Sequence, residues 1–113
     1  MAASVKCLVT NMIKANSIMV FSKSTCPFCL MAKSVLKDAG AKNMTVLEIE
    51  NRPDAFDIQN ALKDMTGSAT VPAVFVAGKY LGGGTETQEL FDTGKLKKLI
   101  EDVDTFIKKN DSS

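Results

Sequence analysis

The sequence has no histidine and no tryptophan. Without histidine there is no imidazole general base, no Cys–His nucleophile pair and no histidine ligand for a metal. Neither sign of charge is in excess. Fourteen basic residues face thirteen acidic ones, for a formal net charge of +1. Nucleic-acid binding calls for a strongly basic face, so no nucleic-acid partner is expected. No apolar run approaches the roughly 18 residues of a membrane span, so no membrane partner is expected either. Cysteine is scarce and odd in number: Cys7, Cys26 and Cys29. With 45% hydrophobic residues the chain has enough apolar material for an ordinary core, so it does not need a secreted disulfide scaffold. Two cysteines working as a pair in a reducing compartment is the better reading, and a cytoplasmic location follows from it.

Residues 1–113 are expected to form one domain, with a loose polar tail from about Asn110 onward. The first fifteen residues carry Lys6 and Lys14 and no acid, which raises a mitochondrial transit peptide as the alternative. The segment lacks arginine, however. Val5, Leu8, Val9, Met12 and Ile13 repeat at helical spacing, and the segment reads as a native helix.

Beyond it the elements alternate. Ile18 to Phe21 is a short continuous apolar run, as in a buried parallel strand. Pro27 suits the first position of a helix, which is predicted to run to about Ala39 with Leu30, Met31, Val35 and Leu36 inward and Gly40 as its stop. Thr45 to Glu50 reads as a strand, with Leu47 and Ile49 alternating against Glu48 and Glu50. A second helix starts near Pro53-Asp54, with Ile58, Ala61, Leu62 and Met65 on one face and Thr66-Gly67 at its end. Ala73 to Ala77 and Tyr80-Leu81 are predicted to pair as a hairpin through a turn at Gly78-Lys79. Helix resumes at about Glu86 to Asp92. After Gly94 a last helix places Leu96, Leu99, Ile100, Val103 and Ile107 on one stripe. The simplest assembly is an α/β domain, a four-stranded mixed sheet with helices on both faces. Sites on such sheets lie beyond the carboxyl ends of the parallel strands, and Cys26 sits just past the end of the first.

Cys26-Pro27-Phe28-Cys29 is the strongest motif, because it opens a helix directly after a strand. The thiolate is the attacking species in disulfide exchange, and a helix N-terminus favours that charge. Lys23, three residues upstream, adds positive charge nearby. Cys29 lies one helical turn in, close enough to form a disulfide with Cys26 and more enclosed. Cys26 is the expected nucleophile and Cys29 the expected resolving thiol. Half a zinc site is the competing reading, but one remaining cysteine and no histidine leave the ligand set incomplete. Cys7 reads as a small apolar residue beside the first helix stripe.

The run from Lys23 to Cys29 resembles the active site of dithiol glutaredoxins, with Phe28 in place of the commoner tyrosine. Three later segments agree in order and spacing: Gln59 in the helix ending at Met65-Thr66-Gly67, then Thr70-Val71-Pro72, then Gly82-Gly83-Gly84-Thr85-Glu86. The resemblance spans about Val5 to Ile107 and implies a thioredoxin-like fold and a glutathione-dependent thiol–disulfide oxidoreductase. It implies glutathione as co-substrate with no tightly bound cofactor and no metal, glutathionylated or disulfide-bonded proteins as partners, and a monomer.

It also implies a role for each matching residue. Lys23 and Gln59 resemble the pair that holds the glycine carboxylate of glutathione. Thr70-Val71 resembles the segment whose backbone pairs with the cysteinyl part like an added strand. Pro72 resembles the family's cis-proline. Gly84 lets the backbone approach, and the amides of Thr85 and Glu86 would take the γ-glutamyl carboxylate. The Glu86 side chain would meet the ammonium. The chain departs from the pattern at Thr85 and Glu86, where many relatives carry serine and aspartate. It departs again at Ala73, where many carry a basic residue that Arg52 would have to replace. A thioredoxin is the nearest alternative enzyme, but that family usually has Trp-Cys-Gly-Pro-Cys. An iron–sulfur carrier is the alternative of another class. Pro27 speaks against it, because it stiffens the loop and removes a backbone donor.

Overall fold

A computed structural model describes the backbone of residues 2–111 and the side chains of residues 4–103. Nine elements follow one another: α1 (Ala2–Ala15), β1 (Ile18–Ser22), α2 (Pro27–Asp38), β2 (Met44–Glu48), α3 (Ala55–Thr66), β3 (Ala73–Val76), β4 (Lys79–Gly82), α4 (Gly84–Asp92) and α5 (Lys95–Asp111). The four strands form one mixed sheet in the order β2-β1-β3-β4. β1 runs parallel to β2, with Ile18 opposite Met44 and Ser22 opposite Glu48. β1 is antiparallel to β3, and β3 to β4.

β1 lies between two neighbours and is buried along its whole length, which is why it reads as an unbroken apolar run. Its side chains alternate between two core layers. Met19 and Phe21 pack with Val5, Val9 and Ile13 of α1 and with Ile58, Ala61 and Leu62 of α3. Ile18 and Val20 pack on the other face with Ala32, Val35 and Leu36 of α2 and with Leu96, Ile100 and Val103 of α5. The expected mixed sheet with helices on both faces is therefore what forms. The N-terminal apolar stripe docks α1 into the core through Val5, Val9 and Ile13.

Several boundaries and facings differ from expectation. The inward face of α2 is Cys29, Ala32, Val35 and Leu36. Leu30 is 54% exposed, because it lies about 100° around the helix from Cys29. Met65 is likewise exposed at the end of α3. β2 stops at Glu48, and Ile49 is buried just beyond it, its amide donating to the Ser22 carbonyl at 2.9 Å. The hairpin turns at Ala77-Gly78, one residue earlier than predicted. Both residues have positive φ (53° and 80°), as a two-residue turn between twisted strands requires. The pairing of β3 with β4 carries a register shift between Val74 and Phe75. α4 starts two residues before the predicted Glu86, at Gly84. α5 continues to Asp111, so the loose tail predicted from Asn110 is helical as far as that residue; Ser112 and Ser113 lie outside the described residues, as does the side chain of Ile107.

α2 ends as its glycine suggests. Gly40 has φ +101°, its amide reaches the Lys37 carbonyl, and the Ala41 amide reaches the Leu36 carbonyl, each at 3.0 Å. This closing pattern satisfies carbonyls that the last turn would leave unpaired. The orientation of α2 can be tested by a contrast of two leucines. Leu36→Ala is expected to cost about 2–5 kcal/mol of unfolding free energy and Leu30→Ala less than about 0.5 kcal/mol, read by urea denaturation. Equal costs would mean that α2 is rotated from the orientation described.

Candidate active site

The site is built where β1 hands over to α2. Ser22 ends the strand, and the chain turns through Lys23-Ser24-Thr25. Cys26 is the N-cap of the helix, with extended backbone (φ −84°, ψ 121°) and Pro27 following it at the first helical position. The Cys26 amide donates to the Lys23 carbonyl at 3.1 Å, and the Cys26 carbonyl accepts the Leu30 amide at 3.0 Å. A residue so placed has its side chain beside the free amides of the first helical turn.

Those amides decide the chemistry of the two thiols. Cys26 is held below the usual thiol range. The main cause is the backbone amide of Cys29, followed by the Cys29 thiol, the Phe28 amide and the charge of Lys23, while partial burial works in the opposite direction. Cys29 is fully buried, and burial pushes its thiol up. The Lys23 amide, 3.4 Å from Cys29 Sγ, and the Ser22 hydroxyl oppose that rise. Both cysteines are free thiols here. The pair is thus unequal as the spacing implied: an accessible sulfur that ionises readily, and an enclosed one that does not.

The loop before Cys26 is braced from a distant part of the chain. Glu50, just past β2, accepts the Ser24 amide at 2.7 Å through Oε2, and the same oxygen accepts the Ser24 hydroxyl. These bonds hold the Glu50 carboxyl below the usual carboxylate range, the Ser24 hydroxyl contributing most. Sequence reasoning took Glu50 for the outward residue of an alternating strand and missed this contact. Ser22 was also missed. The only hint was a hydroxyl residue closing an apolar strand.

Two of the other predicted ligand segments meet at Phe28, in the first turn of the helix that Cys26 caps. Thr70, Val71, Pro72, Gly84, Thr85 and Glu86 line an open groove of about 310 Å³ together with Phe28 and Gly83. The Val71–Pro72 peptide bond is cis, as the resemblance implies. Gly84 brings α4 against the start of α2. A Cβ there would lie 2.9 Å from the Phe28 carbonyl oxygen and 3.1 Å from the Phe28 Cβ. Lys23 and Gln59 are partly buried and do not line this groove.

Several of the side chains considered for the site have partners within the chain. Glu86 Oε1 accepts the Gly83 amide at 2.6 Å, closing the first turn of α4, so that oxygen caps a helix. The Gln59 side-chain amide donates to the Ala69 carbonyl at 3.1 Å and so ties α3 to the loop carrying Thr70 and Val71. Arg52, considered as a substitute for the basic residue missing at Ala73, forms a forked pair with Asp54 at 2.8 and 3.0 Å. Ala73 itself is buried in the core. Cys7 is exposed on α1, not set against its apolar stripe.

Comparison with known proteins agrees with this geometry. The glutaredoxin family model matches residues 18–81. The chain is similar to Glutaredoxin-C8 of Oryza sativa subsp. japonica, at 46% identity over 99 residues, covering 87% of this chain and 73% of that protein. It is 41% identical to a glutaredoxin of Vernicia fordii over 92 residues, covering 81% and 88%. Among solved structures it resembles oxidised glutaredoxin 2 from Chlamydomonas reinhardtii, with TM-score 0.85, 38% identity and coverage of 90% and 95%. A buckwheat glutaredoxin–glutathione complex also superposes at TM-score 0.85, with 30% identity and coverage of 90% and 92%. The cysteine pair, the sheet that carries it and these likenesses lead to one assignment: the chain belongs to the glutaredoxin family and is a glutathione-dependent thiol–disulfide oxidoreductase.

Proposed function

We propose that the chain reduces protein–glutathione mixed disulfides and protein disulfides, with Cys26 as nucleophile, Cys29 as resolving thiol and glutathione as co-substrate. The observation that carries this reading is the unequal placement of the two sulfurs, Cys26 at the N-cap of α2 and Cys29 buried one turn in, which favours charge on the first and disfavours it on the second. The Cys26 thiolate attacks the glutathione sulfur of the mixed disulfide, forms a Cys26–glutathione disulfide and expels the protein thiolate. A glutathione thiolate then attacks the bound glutathione sulfur, leaving oxidised glutathione and the Cys26 thiolate. In the alternative second step Cys29 attacks Cys26 and releases glutathione.

The groove beside Cys26 suits the tripeptide. Thr70, Val71 and Pro72 line it together with Gly84, Thr85 and Glu86. In this reading Val71 offers its backbone to the cysteinyl part, and the amides at the start of α4 take the γ-glutamyl carboxylate. Lys23 and Gln59 meet the glycine carboxylate. With Oε1 holding Gly83, Glu86 turns only its second oxygen to the ammonium. The protein works as a monomer in a reducing compartment such as the cytoplasm, on glutathionylated proteins.

Glutathione-dependent reduction of a glutathionylated peptide tests the division of labour. Cys26→Ser is expected to fall to background, while Cys29→Ser retains activity through the route that uses a second glutathione. Activity in Cys26→Ser would overturn the assignment. The pH dependence has a definite sign. A lowered thiol pKa means that the thiolate of Cys26 is already present below the ordinary thiol range of about 8.5. Alkylation of Cys26 by iodoacetamide is therefore expected to rise with a midpoint below that of free glutathione measured in parallel. A midpoint at or above it would remove the helix-amide explanation. Lys23→Ala is expected to raise KM for glutathione about fivefold, equivalent to losing about 1 kcal/mol from one exposed charge contact. An unchanged KM would take Lys23 out of the ligand set.

A further inference from the structure

Beneath the cysteine pair lies a polar group that the reaction as described does not use. Ser22 is fully buried, and its hydroxyl oxygen has no hydrogen-bond partner among the described residues. A buried hydroxyl left unpaired is costly, and such groups in a native site call for a reason. Strand alternation puts Ser22 on the same side of β1 as Ile18 and Val20, the side covered by α2. Cys29 lies on the buried face of that helix. The next amide along the chain, that of Lys23, already donates to Cys29 Sγ at 3.4 Å. The floor under Cys29 thus has one donor, the Lys23 amide, already hydrogen-bonded to the sulfur and a second, the Ser22 hydroxyl, near enough to favour its charge but with no hydrogen bond formed.

We propose that Ser22 is a positioning residue for the second half-reaction, its hydroxyl donating to the Cys29 sulfur as that sulfur becomes the attacking thiolate. This rests on the reading above that Cys29 resolves the Cys26–glutathione disulfide. In that step the Cys29 sulfur gives up its proton and forms a bond to Cys26 Sγ. The bond between Cys26 Sγ and the glutathione sulfur breaks with its electron pair on glutathione. The departing thiolate takes up a proton and leaves as glutathione. Cys29 is oxidised, Cys26 stays at the disulfide level with a new partner, and the departing glutathione sulfur is reduced. A sulfur with no contact to solvent has no water to share the charge it acquires, so fixed donors must do so. The Lys23 amide is one and the Ser22 hydroxyl the other. In the first half-reaction the charge sits on the Cys26 sulfur, and Ser22 is not among the groups that tune it.

The charged surroundings leave this role to hydrogen bonding. Cys29 is faced by Cys26 across the motif and by Lys23 and Ser22 from the strand end. Glu48, opposite Ser22 in the β1–β2 register, is paired with Lys33 of α2 through Oε2. That ion pair brings no net charge to the floor. Glu48 Oε1 is the other buried oxygen without a partner among the described residues, and it marks the same small region as polar and tightly enclosed.

The test separates the two half-reactions. Reduced protein is mixed rapidly with a glutathionylated peptide in the absence of free glutathione. Samples are quenched in acid, and the Cys26–glutathione intermediate and its decay to the intramolecular disulfide are followed by mass spectrometry. For Ser22→Ala, formation of the intermediate is expected at the wild-type rate and its decay about tenfold slower at neutral pH. The decay rate is also expected to rise with pH later than in wild type, with a midpoint about one unit higher. Ser22→Thr, which keeps the hydroxyl, restores the decay, and Ser22→Val, of the same shape, does not; this pair carries the comparison if the alanine variant does not fold. In a Cys29→Ser background Ser22→Ala leaves glutathione-driven turnover unchanged. Decay at the wild-type rate with an unmoved pH midpoint, or equal slowing of both half-reactions, would overturn the proposal. A wild-type intermediate that never becomes the intramolecular disulfide would instead overturn the resolving role of Cys29, and this inference with it.

Discussion

A thiolate needs donors that stay in place when water is displaced by substrate, and the first turn of α2 supplies them. The amides of Phe28 and Cys29 favour charge on the Cys26 sulfur because Cys26 is the N-cap and Pro27 begins the helix. The helix starts there because β1 delivers the chain to that spot, and β1 is held on both sides by β2 and β3. The two core layers clamp the strand from above and below. The reactivity of one sulfur therefore draws on most of the domain. It is an electrostatic effect sustained by apolar packing.

The same geometry makes the two cysteines different. One turn of helix separates them, which carries Cys29 from the rim to the buried face of α2. The amide that favours charge on Cys26 belongs to Cys29 itself. Cys29, the resolving thiol of the proposed function, thus also favours the Cys26 thiolate through its backbone. Glu50 contributes from across the sheet by fixing Ser24, and so limits how the loop between strand and helix can move. Its negative charge is directed to the Ser24 amide and hydroxyl.

Much of this was legible in the sequence, and the divide between what was and what was not is physical. Features written in local order could be read: the apolar run of β1, proline after Cys26, glycine after α2, and the Thr70–Pro72 and Gly84–Glu86 segments that line one groove. Facing angles were read less well. Leu30 and Leu36 have similar side chains, and the helix phase that separates them is set by what α2 packs on. Contacts between distant residues were not read. Glu50 reaches Ser24 only through the parallel pairing of β2 with β1, and nothing near either residue announces that register. Ser22 is polar in the sequence and buried in the fold for the same reason. At Glu86 the family pattern suggested a ligand, and local chemistry gave the side chain a capping bond as well, because an acid two places into a helix finds free amides within reach.

The register shift in the hairpin has a further consequence, for the company the protein keeps. β4 is an outer strand of the sheet, and an outer strand offers unpaired backbone groups to any extended chain that drifts by. Here it is only four residues long, opens with Lys79 and ends in Gly82 at φ +123°. The irregularity opposite Val74 and Phe75 disturbs the even spacing that another strand would have to match. This thiol–disulfide oxidoreductase thereby carries a sheet margin that is poor at recruiting extended chains into aggregates.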